Sequence, residues 1–160
     1  MATVTQHVLK PSSARVVIID SFVPVPRGSE AIAPAPLNWP TKDPWDVLDY
    51  IVEFSPAVIG NDADSIATLD VTIRPNAPGD LTMNSASADG TRAVLWFSQG
   101  QPGTVYIVTV AVGTTNGRAI QRSILLPVLS LSMPAVSAMA IQTSTGLVLT
   151  DQNGNPVLIS

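Results

Sequence analysis

The chain contains no cysteine and only one histidine, and it is poor in charge. The absence of cysteine excludes disulfides and thiolate metal sites. The single histidine, His7, lies near the N-terminus and outside every predicted strand, which argues against a Ser-His-Asp catalytic set. Charged residues make up 12% of the chain, about half the usual share. The resulting neutral surface either is buried against other subunits or consists of the Thr, Ser, Asn and Gln of an ordinary β-protein.

Basic clusters and long apolar runs are also missing. The net charge is -4, and the eight lysines and arginines are scattered, which disfavours a nucleic-acid interface. The longest apolar stretch, residues 124–131, is interrupted by Pro127 and Ser130 and is too short to span a bilayer. The first residues lack the pattern of a secretory signal peptide. We therefore expect a protein that is made and kept in the cytoplasm, or exported only as part of something larger, with no nucleic-acid or membrane partner.

Residues 1–41 are predicted to form an extended N-terminal arm. A short strand at residues 16–19 is followed by a proline-rich segment, and proline disfavours both a helix and a central strand. This segment also carries apolar side chains, which a disordered linker usually lacks, so we expect it to dock on its own domain or on a partner. The prolines are Pro24, Pro26, Pro34, Pro36 and Pro40.

Residues 42–130 show the period-two alternation of half-buried β-strands separated by turn residues. Asp89-Gly90 and Asn116-Gly117 are typical of β-hairpins, and no segment of useful length has helical periodicity. Closely spaced short strands predict an all-β fold, a β-sandwich, with a barrel as the alternative. The predicted strands cover residues 48–54, 68–74, 81–85, 93–98, 104–113 and 118–126.

Two aromatic residues indicate which type of sandwich to expect. Tyr106 follows a glycine-containing corner and enters a strand, which resembles the tyrosine corner of the immunoglobulin fold. Trp96 is the candidate core aromatic. We therefore predict an immunoglobulin-like β-sandwich, an assignment of architecture only because the Cys–Trp–Cys set of true immunoglobulin domains is absent.

Residues 131–160 are predicted to be a C-terminal extension that ends in a β-hairpin around Asn153-Gly154. A single two-stranded hairpin is marginally stable in water. We therefore expect this extension to pack on the domain or on a neighbouring subunit.

The acidic residues do not predict a catalytic or metal site. Asp49 and Glu53 lie on the polar face of a predicted strand, where we expect them to be solvated, and no second carboxylate is placed across a cleft as glycoside hydrolysis requires. The run from Asn61 to Asp64 has oxygen ligands suited to calcium but lacks the glycine and glutamate of an EF-hand. Turn formation is the favoured interpretation. No catalytic residue, metal site or cofactor is predicted.

Four short sequence elements follow one another in an unusual order along the chain. They are Leu48-Asp49-Tyr50, Asp64-Ser65-Ile66, residues 103–108 and Gly117-Arg118. Taken in this order, they resemble the fiber-tail adaptor and related tail or neck proteins of tailed bacteriophages. The resemblance covers roughly residues 42–128, and it implies an immunoglobulin-like structural domain in a virion.

These observations predict a non-enzymatic virion protein of the tail or neck, present in the host cytoplasm before assembly. The expected partners are copies of itself and other virion proteins, namely tail-tube, adaptor, portal-proximal or fiber subunits. The alternatives are a capsid decoration or head-closure protein, and a carbohydrate-binding module in which Trp39 and Trp45 stack on a sugar. The residues predicted to contact other subunits are Pro24, Pro26, Trp39, Pro40 and Trp45.

Overall fold

A computed structural model of the chain describes residues 12–20, 35–58, 63–132, 141, 149–152 and 157. The chain divides into two compact units, Met1–Ser130 and Leu131–Ser160. The described part of the first unit is mostly β-strand arranged in two sheets, so the predicted all-β sandwich is confirmed. None of the helices within the described residues is long and apolar enough to span a membrane.

The described strands of the first unit differ in length, from two to eleven residues. A 3-10 turn at Ser13–Arg15 precedes the first strand, and a single helical turn, α1 (Ser55–Val58), follows the third. The strands are β1 (Val16–Ile18), β2 (Leu37–Asn38), β3 (Leu48–Glu53), β4 (Ile66–Arg74), β5 (Thr82–Asp89), β6 (Arg92–Ser98), β7 (Thr104–Thr114) and β8 (Ala119–Val128).

The strands form two four-stranded sheets packed on one another. The first sheet has the order β1-β3-β6-β5 and the second the order β2-β8-β7-β4. With β3, β6 and β5 taken as strands B, E and D, and β4, β7 and β8 as C, F and G, these orders agree with those of immunoglobulin domains. The strand order supports the immunoglobulin-like assignment, which stays a prediction.

Two segments of the predicted N-terminal arm are strands of the sandwich. β1 pairs in parallel with β3, and β2 pairs in parallel with β8, so each lies at the edge of its sheet. Parallel pairing requires a long connection rather than a hairpin. The turn chemistry of the sequence therefore does not reveal it. That the rest of residues 1–41 acts as an arm stays a prediction.

The core lies between the sheets and follows the predicted alternation on the central strands. Tyr106, Val108 and Val110 on β7 are fully buried, as the alternation predicts. The residues of β4 that strand alternation places on the core side are only partly buried, because β4 is an edge strand. They are Leu69, Val71 and Ile73.

The prediction of Trp96 as the core aromatic is wrong. Its neighbours Leu95 and Phe97 are fully buried, so by strand alternation the half-buried Trp96 lies on the outer face of the first sheet. The aromatic core is formed instead by Phe97, Tyr50 and Trp39, whose ring centroids lie 5.2–6.1 Å apart. Alternation separates the two faces of β6, and packing against the second sheet decides which face is internal.

Tyr106 makes the hydrogen bonds expected of a corner tyrosine. Its hydroxyl accepts a bond from the backbone N–H of Gln101 and donates one to Oδ1 of Asp80, each over 2.8 Å. Burial raises the pKa of this phenol, and the Asp80 carboxylate acts in the same direction. These bonds join the β6–β7 and β4–β5 loops at one end of the sandwich.

The carboxylates of Asp49 and Glu53 are buried, so the expectation that they are solvated is wrong. Asp49 is 4% exposed and pairs with Arg15 over 2.7 Å, while Glu53 is 9% exposed and pairs with Arg92. Arg15 reaches Asp49 from the 3-10 turn that precedes β1. The Arg15 side chain, held in place by the pairing of β1 with β3, thus covers part of a face that the sequence predicted to be open.

Glu53 is expected to make stability depend on acid pH. Burial alone raises the pKa of Glu53, but hydrogen bonds from Arg92, Thr91 and Ser55 outweigh it and hold the pKa below its usual range. A carboxyl group with a lowered folded-state pKa stabilises the fold fully above its unfolded pKa, and this contribution is lost as pH falls through the folded value. Thermal unfolding of Glu53→Gln should therefore show a loss of about 1–2 kcal/mol at pH 7 and a smaller loss near pH 3.

The matched control for Glu53 is the exposed Asp89 at the end of β5. Asp89→Asn should change stability by less than about 0.5 kcal/mol at either pH. A Glu53→Gln deficit that is the same at pH 7 and pH 3 would contradict the role assigned to the ionised carboxylate.

The second unit is described at a few positions only. The N–H of Ile141 bonds to the carbonyl of Val157, that of Leu149 to Ile141, and that of Val157 to Leu149, each over 2.9 Å. The predicted hairpin turn at Asn153-Gly154 lies outside the described residues.

Candidate subunit interface

The five residues predicted to contact other subunits have different environments. Pro24 and Pro26 lie outside the described residues. Trp39 is 2% exposed, Pro40 is exposed, and Trp45 is 87% exposed. Among them, Trp45 is the large apolar side chain that is available for contact.

Trp39 packs inside its own chain. Its ring lies 5.2 Å from that of Tyr50, and its indole N–H donates to the carbonyl of Ile51 over 3.4 Å. The backbone N–H of Trp39 also bonds to the carbonyl of Leu125, which fixes β2 beside β8. A contact of Trp39 with another subunit stays a prediction, but its indole already fills the core.

Trp45 lies in a tight turn that we call the Trp45 turn, residues 43–47. Its backbone N–H donates to Oδ1 of Asp43 over 2.9 Å, and the N–H of Asp46 donates to the carbonyl of Asp43 over 3.1 Å. Asp43 is 4% exposed. Asp and Pro are favoured in such turns because Asp bonds to the backbone two residues on and Pro fixes φ. The indole thus projects into solvent from a backbone held by its own hydrogen bonds.

The Trp45 turn is fastened to the sandwich by Lys42, whose side chain is fully buried. Its ammonium group donates to the carbonyls of Asp43 over 2.7 Å, Gln99 over 2.9 Å and Pro44 over 3.4 Å. Burial lowers the pKa of Lys42, while the charges of Asp46 and Asp43 act in the opposite direction. One cation therefore joins the turn before β3 to the loop after β6.

Two backbone hydrogen bonds hold Lys42 at the end of β8, and they place its side chain between the Trp45 turn and the loop after β6. The N–H of Lys42 donates to the carbonyl of Pro127, and its own carbonyl accepts from the N–H of Leu129. The chain before β3 thus runs alongside the end of β8. The sequence does not reveal this role, because the acceptors are backbone carbonyls, which every residue possesses.

Two further exposed apolar side chains belong to the same end of the sandwich. Val47, within the Trp45 turn, is 55% exposed, and Leu129, bonded to Lys42, is 47% exposed. Exposed apolar residues grouped at one place mark interaction sites more often than single ones do. This end of the domain is therefore the candidate interface.

The structure does not support a sugar-stacking pair of tryptophans. Trp45 is exposed but Trp39 is in the core, so the two cannot form one aromatic platform. The described residues contain no group of three His, Cys, Asp or Glu side chains placed to hold a metal ion.

Asp64, the last residue of the run considered for calcium, anchors a hairpin. Its Oδ1 accepts from the Thr115 hydroxyl over 3.0 Å and from the Asn116 N–H over 3.1 Å. Desolvation raises the pKa of Asp64, but these hydrogen bonds outweigh it and leave the pKa lowered. Asp64 thus holds the β7–β8 turn, while Asn61 and Asp62 lie outside the described residues.

Part of the chain matches the model of a known protein family. A family model described as the podophage GP4 fiber-tail adaptor protein gp77 matches residues 42–127. No match was found among curated proteins. The matched range covers just over half of the chain, beginning at Lys42 and including the Trp45 turn and nearly all of β3 to β8. The chain therefore belongs to the family of the podophage GP4 fiber-tail adaptor protein gp77.

Proposed function

We propose that this protein is a non-enzymatic adaptor in the tail of a podophage virion, where it links the tail to fibers or to neighbouring subunits through the Trp45 turn. Membership of a fiber-tail adaptor family supports the structural role. The observation that carries the proposed contact is the 87% exposed indole of Trp45 on a turn fastened by the buried Lys42.

The energetics of binding favour such a turn. Tryptophan is enriched among the few residues that supply most of the binding energy of an interface. Its side chain buries about 150–250 Å². Because the hydrogen bonds of the turn already order the backbone, little further conformational entropy is lost on contact. The turn is therefore suited to fill an apolar pocket on a partner protein.

We propose the N-terminal segment as a second contact. Pro40 is exposed beside the end of β8, and residues 21–34 have the apolar, proline-rich composition of a segment that docks. Proline reduces the conformational freedom lost when such a segment is ordered. Pro24 and Pro26 belong to this proposal on sequence grounds.

The alternatives have less support. A capsid decoration or head-closure role agrees with the sandwich but not with the family description, which names fiber and tail. A carbohydrate-binding role loses its paired aromatic platform because Trp39 is buried.

Deletion of the gene from the parent phage tests the proposal. Particles made without the protein should contain filled heads and tails but lack fibers, and expression of the protein in trans should restore them. Electron microscopy of purified particles measures both. Fully fibered particles in the deletion strain would contradict the proposed link.

A further inference from the structure

The outer face of the second sheet has two different halves, one with bulky apolar side chains and one with small residues that line a depression. Its residues alternate along β4, β7 and β8 with the buried residues of the core, and strand pairing places them in five rows. We call the end of the domain that carries the Trp45 turn and the last residues of β8 the Trp45 end. Counted from that end, the rows are Val105–Pro127; Arg74–Ile107–Leu125; Thr72–Thr109–Ser123; Asp70–Ala111–Gln121; and Thr68–Gly113–Ala119.

The two rows nearest the Trp45 end are bulky and apolar. Val105 is 50% exposed and Ile107 is 44% exposed, although both lie on a central strand. Leu125 and Pro127 beside them on β8 are half-buried. These four side chains form a raised apolar area on the sheet.

The two far rows form a hollow built from small residues. Ala111, Gly113 and Ala119 line a shallow depression of about 520 Å³, together with Thr68, Asp70 and Gln121. Any Cβ at Gly113 would lie 2.6 Å from the Thr68 hydroxyl oxygen, which accepts the N–H of Gly113 over 3.1 Å. A larger residue at position 113 would fill the depression and displace Thr68.

The two halves of this face also carry opposite charges. Arg74 lies in the second row beside Ile107, and Asp70 lies in the fourth row beside Ala111. Both side chains are exposed, and within the described residues neither has an ion-pair partner. The middle row between them is polar, with the hydroxyls of Thr109 and Ser123 2.8 Å apart.

We infer that this face binds the same face of a second copy of the chain, about a twofold axis that passes through the middle row. A twofold axis requires a surface that is complementary to itself. A rotation of 180° about an axis that runs across the strands, between the two copies and over Thr109 and Ser123, places each second row on the partner's fourth row. Arg74 then faces the partner subunit's Asp70, and Ile107 faces the partner subunit's Ala111.

The same rotation places each first row on the partner's fifth row. Val105 and Pro127 then face the partner's Gly113 and the partner's Ala119, so the raised half of each copy enters the hollow half of the other. Sheets that pack face to face in this way cross at about −30°. The same twofold rotation therefore pairs bulky residues with small ones and positive charges with negative ones. A surface that binds an unrelated partner does not need to be complementary to itself in this way.

The face is small, which favours weak association. Val105 to Gly113 spans about 27 Å, and three strands cover a width of about 15 Å. Such a contact lies at the low end of specific interfaces, where association is reversible. We therefore expect a monomer–dimer equilibrium with a dissociation constant of about 1–100 µM. This inference does not rest on the adaptor function.

Charge reversal of the full-length protein tests the inference by sedimentation velocity. The wild-type mass should rise from 16.7 kDa toward twice that value with concentration. Arg74→Asp and Asp70→Arg should each raise the dissociation constant at least about tenfold, because each places like charges together twice per dimer. The double variant Asp70→Arg/Arg74→Asp restores opposite charges and should return within about threefold of wild type.

The control is Asp89→Arg, the same reversal on β5 of the first sheet, which should leave the dissociation constant within about threefold of wild type. Thermal unfolding confirms that every variant is folded. Three outcomes would overturn the inference: a wild-type monomer up to about 0.1 mM, single reversals that dimerise normally, or a double variant as weak as the singles.

Discussion

Replacement of Lys42 by alanine should strongly destabilise the described domain, with a loss of about 2–4 kcal/mol in the free energy of unfolding. The ammonium group donates to the carbonyls of Asp43 and Gln99, and its removal takes away one donor from each, although the Asp43 carbonyl keeps the bond from the N–H of Asp46. The truncation also leaves a cavity where a fully buried side chain lay. Denaturant unfolding of the purified protein measures the loss.

Two further variants separate these causes. Lys42→Met keeps most of the volume but supplies no donor, so it should recover only the part of the loss that is due to the cavity. Arg122→Ala removes an exposed ion pair with Asp20, and it should cost less than about 1 kcal/mol. A Lys42→Ala variant as stable as Arg122→Ala would contradict the role assigned to the buried ammonium.

The Lys42 variants should also loosen the Trp45 turn. The amides of Trp45 and Asp46 bond to Asp43, whose carbonyl is held by the ammonium group. Hydrogen exchange at these two amides should therefore accelerate in Lys42→Met by more than global destabilisation explains. Amides in the middle of β7 serve as the internal reference.

Replacement of Trp45 by alanine should have the second large effect, and that effect should concern assembly rather than stability. The indole is 87% exposed, so its loss should change the free energy of unfolding by less than about 0.5 kcal/mol. If it fills a pocket on a partner, the variant should lose about 2–4 kcal/mol of binding free energy. Quantitative mass spectrometry of purified virions should then show at least about a tenfold fall in the ratio of fiber protein to capsid protein.

The control for Trp45 is Ile18, an apolar side chain that is 47% exposed. Ile18 pairs with Glu53, at the end of β3 opposite the Trp45 turn. Ile18→Ala should leave the fiber ratio unchanged. Normal fiber content in Trp45→Ala virions, with the variant protein present at wild-type copy number, would show that the contact lies elsewhere.

Local patterns predicted most of the strands because the information is carried by neighbouring residues. Strand β7 alternates strictly between Tyr106 and Val112, and Asn116-Gly117 marks the hairpin that follows it. The strands β3 to β8 were all predicted, with ends that differ from the observed bounds by a few residues.

The features that sequence did not predict depend on contacts distant along the chain. Asp49 is paired with Arg15, 34 residues away, across a parallel strand pair that has no turn signature. Trp96 and Phe97 are adjacent and both aromatic, and only packing against the second sheet decides which is internal. The role of Lys42 depends on the carbonyl of Gln99, 57 residues away.

A cryo-electron map of the parent virion, resolved well enough to show side chains at the tail, tests the central proposal most directly. The proposal predicts that the indole of Trp45 is buried in an apolar pocket of a fiber, tail or neighbouring subunit, with the Trp45 turn unchanged from its structure in the single chain. Trp45 exposed to solvent in every copy, with the fiber attached through another surface, would contradict it.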